Sequence, residues 1–199
     1  YLRPMITHQY DVSHTYQKSR WLVSTAFFIH QTNNSIETIR LLKPGGRVEN
    51  TYENIGKFHT TGASLTLAFT AKQFTFRTNN TLRHLVFDSG SRFPARKGLT
   101  GSHGINLSYK PTNTFNINAY LSLNTRTVTL LGIRTGWQSY GLTVNKDFPG
   151  KKLSISLRVI NFLTPYQSIR EESSAADFYQ LMQTRYINRF FRLGFTSKR

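Results

Sequence analysis

Two runs of period-two alternation within residues 136–165 constrain the fold more than any other feature of this chain. In the first, Tyr140, Leu142 and Val144 alternate with Gly141, Thr143 and Asn145; in the second, Leu153, Ile155, Leu157 and Val159 alternate with Ser154, Ser156 and Arg158. Side chains that change face at every residue make a strand with one apolar and one wet face, whereas a helix would scatter both sets around its circumference. The connection, Asp147-Phe148-Pro149-Gly150-Lys151, is short. Its proline presets φ and its glycine accepts positive φ, so it reads as a turn between two antiparallel strands.

The same unit recurs. Tyr10, Val12 and Tyr16 oppose Asp11, Ser13 and Thr15; Trp21, Val23, Phe27 and Ile29 oppose Ser24, Ala26 and His30. Ala63, Leu65, Leu67 and Phe69 mark a strand over residues 60–70, Phe74 and Phe76 open one over 74–87, and Ile105, Leu107 and Tyr109 mark one over 104–110. Phe115, Ile117, Ala119, Leu121 and Leu123 against Asn116, Asn118, Tyr120 and Ser122 form the cleanest case. Ile187, Phe191, Leu193 and Phe195 mark a last strand over residues 185–195. The expected count is about nine strands. Short turns fall near residues 19, 72, 112 and 149, and a tighter connection near 134. Long polar loops are expected around residues 40–50, with Pro44-Gly45-Gly46 at the tip, over 88–99, which holds Arg92, Arg96 and Lys97, and over 166–184. The last holds the single expected helical stretch, residues 171–178.

Short turns at one end, long connections at the other and roughly ten alternating residues between them fit an all-β, antiparallel up-and-down transmembrane β-barrel. The chain has no apolar run of about 18 residues, so a transmembrane helix is excluded, but barrel strands need no such run. A soluble β-sandwich would alternate too. Two features favour the barrel. The polar faces are rich in Asn, Ser, Thr and Arg, as a wet lumen requires. Aromatic residues gather near strand ends, at Trp21, Tyr109, Tyr120, Trp137, Tyr140 and Tyr186, like the girdle at a membrane interface. An odd strand count, no leader pattern and a start at Tyr1-Leu2-Arg3-Pro4 suggest that residues 1–199 form a single segment of a partial barrel, the C-terminal part of a larger one.

The net charge of +17, from 26 basic and 9 acidic residues, invites a nucleic-acid reading. The basic residues are not clustered, however, and no recognition helix, zinc-finger spacing or aromatic RNA-binding motif accompanies them. Nucleic acid is therefore an unlikely partner. With no cysteine, no thiolate metal site exists, and the six histidines lack the spacing of a metal site. No phosphate-binding loop or nucleophile elbow appears, so neither a cofactor nor an enzymatic activity is expected. The functional candidates are arginines expected to face the lumen: Arg77, Arg126, Arg134, Arg158 and Arg192. Rings of such cations favour anionic solutes. They could equally pair with acids of a plug or of further strands.

An ordered series of short motifs resembles the late barrel of TonB-dependent outer-membrane receptors, in the branch called the outer membrane protein beta-barrel family. Tyr1-Leu2-Arg3-Pro4 precedes Tyr10-Asp11-Val12-Ser13, where the family has a Leu-x-Pro-Glu segment before a Glu-Leu strand. His30-Gln31-Thr32-Asn33-Asn34-Ser35-Ile36 follows, then Thr51-Tyr52-Glu53-Asn54-Ile55-Gly56 and Gly62, matching the family's Asn-x-Gly and next glycine. Asn161-Phe162 and Arg189-Phe190-Phe191-Arg192-Leu193-Gly194-Phe195 resemble its last two strands. Met5 stands where Glu is usual, Asp11 replaces a Glu, Asn161 stands where Asp is common, and Lys198-Arg199 replaces an aromatic end. The resemblance implies a barrel wall for uptake of a scarce nutrient such as a siderophore or glycan. It implies outer-membrane lipid, a plug domain and the TonB energy-coupling complex as partners, the last two outside this chain. A self-contained porin-like or structural barrel and a basic soluble β-domain that binds nucleic acid are the competing readings.

Overall fold

The computed structural model describes residues 1–90, 94–174 and 179–197. Arg92 and residues 175–178 of the expected helical stretch lie outside the described residues. Each alternating run forms a strand. β1 (Ile6–Lys18) and β2 (Trp21–Asn33) make the first hairpin; β3 (Ile36–Lys43) and β4 (Arg47–Asn54) make a separate hairpin before β5 (Lys57–Ala71). β6 (Phe74–Asp88), β7 (Arg96–Thr112) and β8 (Phe115–Asn124) follow. β9 (Thr127–Val128) and β10 (Gly132–Arg134) leave the sheet before β11 (Trp137–Phe148) and β12 (Leu153–Ile160). β13 (Tyr166–Ser174) and β14 (Tyr179–Ile187) project again, and β15 (Phe190–Ser197) returns.

One nine-stranded sheet runs in the order β1-β2-β5-β6-β7-β8-β11-β12-β15, every pair antiparallel. β1 and β15 are its two edges, so the sheet is open, consistent with a partial barrel. The chain crosses it up and down, which places all short turns at one end. Ser19, Lys72 and Lys152 take positive φ in three of those turns (52°, 47° and 48°). At the other end, β3 and β4 pair with each other, and β14-β13-β10-β9 form a four-stranded sheet.

Four expectations need correction. The long connections are largely hairpins rather than loops, because extended backbone satisfies its own N–H and C=O groups once it folds back on itself. Residues 171–174 are not helical but end β13, where Glu171 pairs with Met182 on one side and Arg134 on the other. A helix of two turns has little to set against a ladder on both edges. The loop expected over 88–99 is shorter, because Arg96 and Lys97 already belong to β7, opposite Phe87 and Val86. The last strand starts at Phe190, and residues 185–187 belong to β14.

Packing separates this sheet from a soluble sandwich. The buried apolar cluster, Ile39, Ile55, Leu130 and Leu131 with Phe87 against it, lies at the end with the long connections. Among the described residues, no second layer covers the apolar face of the nine strands. Phe27 and Phe195 are each 65% exposed, and Leu157 46%. A sheet face this apolar and this bare has its solvent in hydrocarbon.

Candidate functional site

Directly opposed residues of an antiparallel pair share a face, so register alone assigns each side chain. One row across the sheet reads Thr75, Ser108, Asn118, Thr143, Arg158, Arg192. The neighbouring row on the opposite face reads Phe76, Leu107, Ala119, Leu142, Val159, Phe191. The alternation in the sequence thus becomes two continuous surfaces, one polar and one apolar.

The polar surface is the concave one. A hollow of about 700 Å³ at the end with the long connections is lined from Asp11 on β1 through Arg83 on β6 to Trp137 on β11. Those strands are six pairings apart and would span roughly 29 Å if flat, at about 4.8 Å per strand. Side chains that far apart along the sheet meet around one hollow because the sheet curls. A second hollow of about 500 Å³ lies nearer the short turns, lined by Arg77, Asn106, Asn118, Tyr120, Thr143 and Arg158.

Charge on this face is unbalanced. Among the described residues of the nine strands, Asp11 and Asp147 are the carboxylates that share it, and both are engaged. Asp11 faces His30 Nε2 at 3.2 Å, and Asp147 accepts a hydrogen bond from the Ser154 hydroxyl. Arg77 Nε donates to Asn79 Oδ1 at 3.3 Å. Arg83, Arg134, Arg158 and Arg192 have no side-chain hydrogen bond or ion pair among the described residues. Arg158 and Arg192 stand directly opposite each other, an arrangement that is destabilising unless something anionic lies between or above them.

The structure therefore distributes the candidate arginines as follows. Arg77, Arg158 and Arg192 share the polar face, and Arg134 reaches the upper hollow from β10. Arg126 is not brought to them. It lines a separate depression with His84, Lys97, Leu99, Val128 and Ile133, because the chain leaves the sheet after Asn124 and the period breaks there. Arg83 belongs with the upper group although sequence reasoning passed it over. The signal was present, since Arg77, Asn79, Thr81 and Arg83 share one parity.

The candidate interface aromatics divide as well. Trp21, tilted on Phe69 with centroids 4.4 Å apart, and Tyr109 lie on the apolar face near the short turns. Lys146 sits between Phe115 and Phe148 at the same level, 5.9 Å from each ring, with its ammonium donating to Thr114. Tyr140 holds the opposite end of the apolar face, its hydroxyl accepting from the amides of Leu163 and Thr164. Tyr186 lies on projecting β14, away from the main sheet. Tyr120 and Trp137 are corrections: both lie on the polar face. Tyr120 stands opposite Gly141, where an added Cβ would come within 2.6 Å of its ring. The ring fills the gap that glycine leaves, which holds it over the concave side. Trp137 shares parity with Ser139, Gly141 and Thr143 and stands opposite Asn124.

A model of the outer membrane protein beta-barrel family matches residues 1–196. No curated protein and no solved structure gives a significant match. The family match runs from the first residue through β15, so the curved sheet is barrel wall, its bare apolar face turned to lipid in the bacterial outer membrane, and the chain belongs to the outer membrane protein beta-barrel family.

Proposed function

We propose that this wall is part of a TonB-dependent receptor that imports a scarce nutrient, without covalent chemistry. The observation that carries the reading is the concave face, wide, polar and lined with arginines that form no ion pair among the described residues. A small barrel that stands alone fills its interior with its own side chains. Here the opposed pair Arg158 and Arg192 calls for an anionic neighbour, which acids of a plug or an anionic solute would supply. The order of motifs along the chain resembles that of the late barrel of such receptors, which supports the reading.

The test uses the full-length gene product in its native host. Its mature N-terminus is sequenced after outer-membrane fractionation, and growth on limiting nutrient is compared with and without a functional TonB. The reading predicts a plug-sized segment ahead of Tyr1 and TonB-dependent growth. A mature chain that begins near Tyr1 and conducts small solutes passively would replace it with a porin-like barrel.

A further inference from the structure

We infer that the hollow between β1 and β11 is a binding site for an acidic oligosaccharide, a reading that rests on the wall being an import path. Charge is the first argument. Arg83 and Arg134 both line the hollow, and neither side chain has a hydrogen bond or ion pair among the described residues. The carboxylate on the same wall, Asp11, is turned to His30 at 3.2 Å, and neither it nor Glu171, which stands opposite Arg134 in the ladder, forms an ion pair with either arginine among the described residues. Guanidinium forks match a carboxylate in two-point geometry.

The second argument is the remaining lining. Trp137 opens into the hollow with 44% of its surface exposed. Across from it the Phe28 ring occupies the space over Gly62, where an added Cβ would come within 2.4 Å of Cζ. Flat aromatic surfaces suit the C–H faces of sugar rings. Between these walls stand the hydroxyls of Ser64, Thr81 and Thr100. Each both donates and accepts, which is what sugar hydroxyls require. A neutral glycan would leave the arginines unused, and a bare phosphate would leave Trp137 and the hydroxyls unused. A volume near 700 Å³ falls within the range of small-ligand sites.

The experiment measures binding of trigalacturonate and its fully methyl-esterified form to the purified full-length protein in detergent, by tryptophan fluorescence. Saturable binding of the acid, and at least about tenfold weaker binding of the ester, is expected. Arg83→Ala and Arg134→Ala should each weaken the acid by about tenfold or more, with Arg83→Lys between wild type and alanine. Trp137→Phe should remove the fluorescence change, whereas Trp21→Phe should not. Heat-modifiable migration on gels checks that each variant keeps its barrel. Equal affinity for acid and ester, unchanged affinity in both arginine variants, or no saturable binding of either probe overturns the inference. TonB is absent from this assay. Loss of TonB-dependent growth with binding intact would overturn the transport reading alone, and TonB-dependent uptake without galacturonate binding would overturn the site alone.

Discussion

Asn161 ties three segments of the wall together, and the cost of losing it can be worked out bond by bond. It is 3% exposed and takes φ +49° at the corner where the chain leaves β12. Its Oδ1 accepts from the Tyr140 amide at 2.9 Å, and its Nδ2 donates to the Asn188 carbonyl at 3.0 Å. Asn161→Ala strips both bonds and leaves two backbone groups without partners, about 1 kcal/mol or more for each. The left-handed backbone adds about 1 kcal/mol for alanine over asparagine. The total is about 3 kcal/mol. Asn161→Gly relieves the backbone but not the bonds and should cost about 2 kcal/mol. Asn161→Asp keeps the acceptor and the turn but sets a carboxylate oxygen against the Asn188 carbonyl, so it loses the donor bond and adds repulsion, and should cost at least about 1 kcal/mol. Denaturant unfolding of the full-length protein in lipid vesicles reads all three, with an unchanged denaturant slope as the check on the folded state. Losses within about 0.5 kcal/mol for every variant would refute the corner, since that is the scatter of ordinary surface changes. A glycine variant as stable as wild type would show that only the backbone angle matters.

Three further perturbations address the two faces. Leu157→Arg, in mid-strand on the apolar face, should cost about 2–4 kcal/mol and lower the outer-membrane level of the protein, whereas Asn145→Arg on the polar face should leave both nearly unchanged. Gly62→Val should destabilise the wall by about 1–3 kcal/mol in the same unfolding assay, because its Cβ would meet both the Phe28 ring and the Leu82 carbonyl at 2.6 Å. Asp11→Asn breaks a half-exposed pair with His30 and should change stability by less than about 1 kcal/mol.

The wall was legible in the sequence because period-two alternation is a direct image of burial on one side only. The sets Leu142, Val144 and Leu157, Val159 each fall on one face, in the register that the turn at Pro149–Lys151 sets. The projections were not legible for the same reason. In β13, Gln167, Ile169 and Glu171 alternate with Tyr166, Ser168 and Arg170, so neither face is apolar and no alternation marks a strand. Its partners β10 and β14 supply the ladder that the pattern does not announce. Aromatic type misled at Tyr120 and Trp137, whereas parity places them: Tyr120 stands among Asn116, Asn118 and Ser122. The upper hollow joins residues from β1 to β11 through curvature, which no local pattern encodes.

The central claim is that one face of this sheet meets lipid and the other meets water. Nitroxide labels placed singly at Ile155, Ser156, Leu157, Arg158 and Val159 of the full-length protein in outer-membrane vesicles test it directly. Accessibility to oxygen and to a water-soluble relaxation agent is read at each position. Labels at Ile155, Leu157 and Val159 should favour oxygen, and those at Ser156 and Arg158 the water-soluble agent. The reverse pattern, or equal access along the strand, would contradict the assignment of faces and with it the reading of this chain as barrel wall.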